Sequence, residues 1–274
     1  MVTQSALYST ERNLSKSLEK LSTGLRINRS SDDAAGLAIS ENLRTQVTGT
    51  GQAQKNAQDG VAALNIAEGA ANEVSSILQR MRELAIQSAN DTLTTTERGY
   101  TNQEFTALRS EIDRISNVTN YNKQGLISST AGRFGAAGAN TLWVDANSTA
   151  NDSLLITIST LNSTTLAAGG GSFNTRTISV QTDAVAAISE VDTAINSVNT
   201  VRANIGAYVN RLEHAVNNLM VSQTNQQAAE SSIRDADFAK ETATYTKNQI
   251  LMQSATAMLS QSNMIPSSVL SLLK

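Results

Sequence analysis

The sequence predicts a mainly α-helical chain: an elongated antiparallel helical hairpin or coiled-coil bundle with a small β-rich insert at its distal end. Three observations predict it. The first is a pair of heptad runs. Leu64, Ala67, Ala71, Val74, Leu78, Met81, Ala85 and Ser88 follow one another at alternating steps of three and four. Ile188, Val191, Ile195, Val198, Arg202, Ile205, Val209, Leu212, Val216 and Leu219 do the same. A 3.5-residue repeat lays one narrow seam along a helix and calls for a nearly parallel partner helix. Two such seams in opposite halves of the sequence are most simply each other's partners, so the chain runs out along one and back along the other as a rod. The second is composition. The 274 residues are 40% hydrophobic but only 4% aromatic, and Pro266 is the single proline; thin helical bundles need no large rings, and long helices exclude proline. The third is a change of character between Ser128 and Thr182, where Ser, Thr and Gly replace the heptads.

Taken in order, Leu7, Leu14, Leu18, Leu21 and Leu25 lie seven, four, three and four residues apart, which predicts an amphipathic helix ending near Gly24. Ser30-Ser31-Asp32-Asp33 then places capping side chains and negative charge where a second helix begins. That helix runs from Asp32 to about Thr45 and continues through Gly49 and Gly51, with a bend or flexible stretch expected there, into the heptad run ending near Asn90. After a polar link, Asp91–Thr96, the residues Phe105, Leu108, Ile112 and Ile115 predict a shorter third helix, ended by the turn chemistry of Tyr121–Ile127. In the insert, the alternation at Leu155–Ile158 and Thr177–Val180 predicts short strands. A long return helix follows from about Asp183 to Ser222. A last amphipathic stretch carries Ile233, Phe238, Tyr245, Ile250, Leu251, Ala255, Met258 and Leu259, and Pro266 is expected to stop or bend it.

The search for chemistry finds no catalytic constellation. There is no cysteine, and His214 is the single histidine, so neither a His-based triad nor a usual zinc site is available. Ser17-Leu18-Glu19-Lys20 matches a Ser-x-x-Lys pattern but sits across the leucine seam, with no Lys-Thr-Gly downstream. Gly132, Gly135 and Gly138 lack the Lys-Ser/Thr of a phosphate loop and predict a flexible turn. Asn-x-Ser/Thr sites begin at Asn13, Asn28, Asn90, Asn117, Asn147, Asn151 and Asn162; those in the insert are the accessible ones. A net charge of −3 without a basic block argues against nucleic acid. No apolar run approaches the ~20 residues that span a bilayer, and Met1–Tyr8 lacks the apolar core of a secretory signal. No enzyme activity and no cofactor are expected.

Longer words in the sequence then resemble one family. Leu14–Asn28 (Leu-Ser-Lys-Ser-Leu-Glu-Lys-Leu-Ser-Thr-Gly-Leu-Arg-Ile-Asn), Asp32–Ile39 and Leu78–Asn90 resemble the N-terminal signatures of bacterial flagellins. Asn204–Leu212, Ile233–Ala239 and Ile265–Leu273 resemble their C-terminal ones. The resemblance spans everything outside Ser128–Thr182. It implies a structural subunit that self-assembles into the extracellular flagellar filament for swimming, with the hook–filament junction protein as the alternative. It divides the chain into 1–31 (N-terminal inner-core helix), 32–127 (N-terminal half of the rod), 128–182 (outer insert), 183–232 (C-terminal half of the rod) and 233–274 (C-terminal inner-core helix). Leu7, Leu14, Leu18, Leu21, Leu25, Phe238, Tyr245, Leu251, Met258 and Leu259 are the candidate subunit-interface residues. Met1–Ser30 and Arg234–Lys274 are expected to order only when neighbouring subunits cover them. The family further implies type III export, a chaperone on Ile233–Leu273, and filament cap and junction proteins as partners. A host innate receptor would be engaged through Arg80, Leu84 and Glu104. Family members usually begin several residues before the position of Val2, so this chain starts short against that pattern.

Overall fold

The computed structural model describes residues 2–128, 141–147, 149, 152–166 and 173–272. Its elements are α1 (Val2–Thr23), α2 (Ala34–Ala89), α3 (Thr95–Val118), β1 (Asn120–Tyr121), β2 (Gln124–Gly125), β3 (Thr141–Trp143), β4 (Ser153–Leu155), α4 (Ser163–Leu166), α5 (Gln181–Arg234) and α6 (Phe238–Leu272). They fall into two compact units. One comprises Met1–Thr48 with Gln223–Lys274, and the other Gly49–Ser222.

The second unit holds the hydrophobic core. All eight heptad positions of α2 from Leu64 to Ser88 are 0% exposed. Within this unit α5 runs antiparallel to α2: the Gln181 amide donates to the Ala89 carbonyl at 3.1 Å, Arg82 meets Asp192 at 2.7 Å, and Gly60 faces Leu212. The α5 seam differs from the one its large residues predict. Val191, Val198, Ile205, Leu212 and Leu219 are buried as expected, but the alternate deep positions are Ala184, Ala187, Ala194 and Val201. Ile188, Ile195, Arg202, Val209 and Val216 flank the seam half-buried. Small residues let the helices approach, so alanine takes the deep place and the larger side chains pack at its edge.

α3 starts on a capping box. The Thr94 hydroxyl accepts the Glu97 amide while the Glu97 carboxylate accepts the Thr94 amide, and the Thr94 hydrogen bonds hold the Glu97 carboxyl below its usual range. Arg98 reaches back to the Ser88 and Asn90 carbonyls at 2.9 and 2.8 Å, satisfying the end of α2. Phe105 and Ile112 enter the core. β1 and β2 then pair antiparallel through a two-residue turn. Asn122 and Lys123 have φ values of 50° and 63°, the left-handed pair that a tight hairpin requires.

The insert is less β-rich than its alternation suggests. Among the described residues only β3 and β4 pair, Thr141–Trp143 against Ser153–Leu155. Ile156 and Ile158 continue beyond β4 without strand pairing, and Thr177–Val180 forms no strand. Ile156, Ile158, Leu161, Leu166, Phe173 and Ile178 instead join the helical core. Alternation reports that one face is covered, and here helices cover it. The glycines at 132, 135 and 138 lie outside the described residues.

Helical structure continues through both positions where a bend or stop is expected. α2 is helical through Gly49 and Gly51. A glycine in a helix costs roughly 1 kcal/mol relative to alanine, but a Cβ on Gly49 would lie 2.8 Å from the Ala146 Cβ, so the insert's close approach requires its absence. α6 likewise runs past Pro266 to Leu272. The carbonyl that loses its partner belongs to Ser262, an exposed residue open to water.

Candidate functional site

With no catalytic constellation in the sequence, the surface to account for is the apolar one on the first unit, and it begins at a joint. α1 ends at Gly24, whose φ of 72° calls for glycine and whose amide bonds the Lys20 carbonyl at 2.9 Å. The chain then runs against the junction of α5 and α6. Leu25 bridges Asp235, the Arg26 amide donates to the Arg234 carbonyl at 2.6 Å, and the Ala236 amide donates to the Gly24 carbonyl at 2.9 Å. The Arg26 guanidinium donates twice to the Ile233 carbonyl, and Arg234 pairs with Glu41 at 2.9 Å. The Glu19 carboxylate receives Asn28 and Arg29. The Asp32 carboxylate accepts the Arg29 and Asn28 amides at 3.2 and 3.4 Å. The Arg29 amide foremost holds the Asp32 carboxyl below its usual value, with desolvation opposing and the Asn28 amide and Lys16 assisting. Asp33 caps α2 by accepting the Gly36 amide at 2.9 Å, and a Cβ on Gly36 would lie 2.8 Å from Ile27 Cδ1. Two neighbouring N-terminal stretches, Gly24–Asn28 and Asp32–Gly36, and the distant Ile233–Asp235 thus build one corner.

From that corner α1 and α6 pack on each other as a hairpin. Both show heptad burial. On α1 it passes through Leu7, Thr10, Leu14, Ser17 and Leu21, and on α6 through Glu241, Tyr245, Asn248, Met252, Ala255 and Leu259. The deepest of these are polar, Ser17 at 4% and Asn248 at 9% exposure, and no apolar side chain described on α1 or α6 is fully buried. The Ser-x-x-Lys serine is therefore a seam residue.

The ten interface candidates divide. Leu7, Leu14, Leu21, Leu25, Tyr245 and Leu259 are half-buried within this unit, whereas Leu18, Phe238, Leu251 and Met258 are exposed. Sequence reasoning missed Tyr8 and Met264 and did not single out Ile250; with the four exposed candidates these side chains are between 45% and 63% exposed. Adjacency was the available signal, since Ile250 and Tyr8 each stand one residue from a chosen position. Beside Ile250 and Leu251, a shallow concavity follows one face of α6 over Ala239, Thr242, Ala243, Thr246 and Lys247.

The receptor candidates lie on the second unit. Arg80 donates to Glu104 at 2.9 Å and to Glu83 at 3.0 Å, and these two bonds, Glu104 foremost, raise its pKa above the ordinary guanidinium value. Leu84 does not join them at the surface. It is 1% exposed and part of the core, because its heptad neighbours Met81 and Ala85 turn that side of α2 inward. His214 is exposed on α5. No helix among the described residues is long and apolar enough to cross a membrane.

Comparison with known proteins decides the family. Residues 1–131 match the bacterial flagellin N-terminal helical region and residues 188–273 the bacterial flagellin C-terminal helical region. The chain is 42% identical to flagellin FlaB2 of Treponema pallidum over 279 residues, 100% of this chain and 97% of that protein. It belongs to the bacterial flagellin family. This flagellin is also 42% identical over 280 residues to the flagellar filament 33 kDa core protein of Treponema phagedenis, covering 100% of this chain and 97% of that one. Among solved structures, Bacillus cereus flagellin aligns with a TM-score of 0.51 at 31% identity, over 64% of this chain and 94% of that one.

Proposed function

We propose that this flagellin polymerises into the extracellular flagellar filament and that the α1–α6 hairpin is its polymerising element. One observation carries the reading. Seven large apolar side chains, Tyr8, Leu18, Phe238, Ile250, Leu251, Met258 and Met264, stand exposed on two helices that, among the described residues, bury no apolar side chain of their own completely. Burying such a side chain yields about 1.5–3 kcal/mol, and contiguous exposed apolar surface marks an interaction site. A two-helix hairpin with these side chains in water is marginal alone. The hairpin therefore consolidates as neighbouring copies cover Leu18, Leu251 and Met258, which couples folding to assembly. Before assembly the same surface on Ile233–Leu273 suits an export chaperone, and the filament's cap and junction proteins meet it at the ends of the polymer. The Arg80–Glu104 pair is the surface for a host innate receptor; receptor-bearing cells should respond less to an Arg80→Asp monomer of unchanged helicity.

The test is seeded growth. Purified monomer added to short filament seeds under mild salting-out should give long uniform tubes by negative-stain electron microscopy. Leu251→Asp monomer, with an unchanged core melting transition, should not elongate them. Elongation by Leu251→Asp at the normal rate would remove the hairpin from the assembly mechanism.

A further inference from the structure

A cleft on the second unit collects a side chain that the sequence uses once. It lies between α2, the β1–β2 hairpin and β3, with a volume of about 380 Å³, within the range of small-molecule sites. Trp143, the single tryptophan, stands on its wall with 43% of its surface exposed. Tyr121, half-buried, forms another part of the lining. An indole is on average well buried, yet the helical core of this unit forms without it.

The local structure holds the ring at the cleft. Gly60 admits β3 against α2, since a Cβ on it would overlap Leu142 Cδ2. The Asn56 amide, its oxygen held by Gln52 at 3.0 Å, donates to the Trp143 carbonyl at 3.3 Å. The indole N–H donates to the Asn147 carbonyl at 3.1 Å. Its polar edge is thus engaged within its own loop, and what remains to offer is a flat apolar face.

Polar groups surround that face. Asn56, Asp59, Asn122 and Gln124 line the same cleft, and the three amides among them can donate and accept at once. Asn122 sits in the tight turn with a φ of 50°, and Gln124 pairs across the hairpin with Tyr121. Among the described residues the lining carries one charge, the Asp59 carboxylate, and no cation. This combination selects a class of ligand. A phosphate or carboxylate would meet Asp59 with no cation to offset it. A wholly apolar ligand would strip water from the amides and return no hydrogen bond. A pyranose meets both demands, because its C–H face can lie on an aromatic ring while its hydroxyls, each a donor and an acceptor, suit amides and a carboxylate.

We propose that this cleft binds a neutral saccharide, one ring stacked on Trp143 with its hydroxyls held by Asp59 and by the amides of Asn56, Asn122 and Gln124. The site uses no part of the α1–α6 hairpin and stands whether or not the filament reading does.

Because Trp143 is the single tryptophan, its emission reports on the cleft alone. Lactose, maltose, cellobiose and chitobiose should each be titrated into the full-length monomer. At least one should change that emission with half-saturation on the order of 1 mM, weak because the cleft is open to water. Asp59→Asn, at an exposed position, should keep the wild-type melting transition and bind that sugar roughly tenfold more weakly, through loss of a charge-assisted hydrogen bond. Trp143→Ala, with unchanged helicity, should lose the saturation-transfer NMR signal of the same sugar. No emission change with any of the four sugars would overturn the proposal, as would undiminished binding by either variant. Binding of choline in place of the sugars would assign the cleft to cations held over the indole and would overturn it as well.

Discussion

The α1–α6 hairpin and the α2–α5 pair are written in one rhythm and reach opposite ends. Both follow steps of three and four. On α2 every heptad position from Leu64 to Ser88 is sealed, while among the described residues of the hairpin the deepest places go to Ser17 and Asn248 and the large apolar residues remain partly in water. Periodicity therefore fixes where a seam runs; the residues that occupy it decide whether the seam closes within the chain or waits for another one.

The comparison breaks most visibly by cavity. Phe105→Ala should destabilise the second unit by about 4 kcal/mol and lower its melting temperature by roughly 12 °C. Leu14→Ala, at a half-buried hairpin position, should lower that transition by less than about 1 °C; an equal drop would mean the two regions melt as one. Filling the hairpin seam sharpens the contrast next. Asn248→Leu should stabilise α6 against α1 by roughly 1–2 kcal/mol, read as slower hydrogen exchange of α6 amides in the monomer, and unchanged exchange would count against polar seam residues as the source of the weakness. Thr94→Ala should cost the second unit about 1 kcal/mol through the lost cap, visible in its melting curve and absent from the hairpin's exchange rates. The smallest effect is acid. The Asp32 carboxyl is lowered in the fold, so its contribution is complete above the unfolded value near 4 and is lost as pH falls through the lowered folded value. Asp32→Asn should flatten the acid side of the pH profile for exchange at Asn28 and Arg29, and an unaltered profile would assign that slope elsewhere.

Much of this was legible in the sequence, for stated reasons. The end of α1 at Gly24, the cap at Asp33 and the α2 seam follow from local rules that hold wherever the helix goes. What failed to show was tertiary. Ala187 and Ala194 occupy deep positions that their size does not advertise, because closeness of approach is a property of two helices. Ile178 alternates like a strand residue and yet lies on helices. Leu84 belongs to a signature also expected at the surface, and only its packing places it inside. The exposed hairpin residues were half legible: the stripe could be drawn, but its division into inward Leu14 and outward Leu18 needed the partner helix.

The manner in which α3 holds the insert has a consequence for how the molecule can change. Asn102 accepts the Ile178 amide, Arg109 donates to the Phe173 and Arg176 carbonyls, Asp113 accepts the Ser163 amide, and Ser116 donates to the Ile127 carbonyl. Four side chains of the scaffold grip the main chain, which every residue type provides except where proline lacks the amide. The gripped segments are also anchored by their side chains, since Phe173 and Ile178 are buried and the Ser163 hydroxyl donates to Asp113. Such an attachment leaves the exposed positions between the gripped ones free to drift, while the clasp that holds the segment stays fixed in α3.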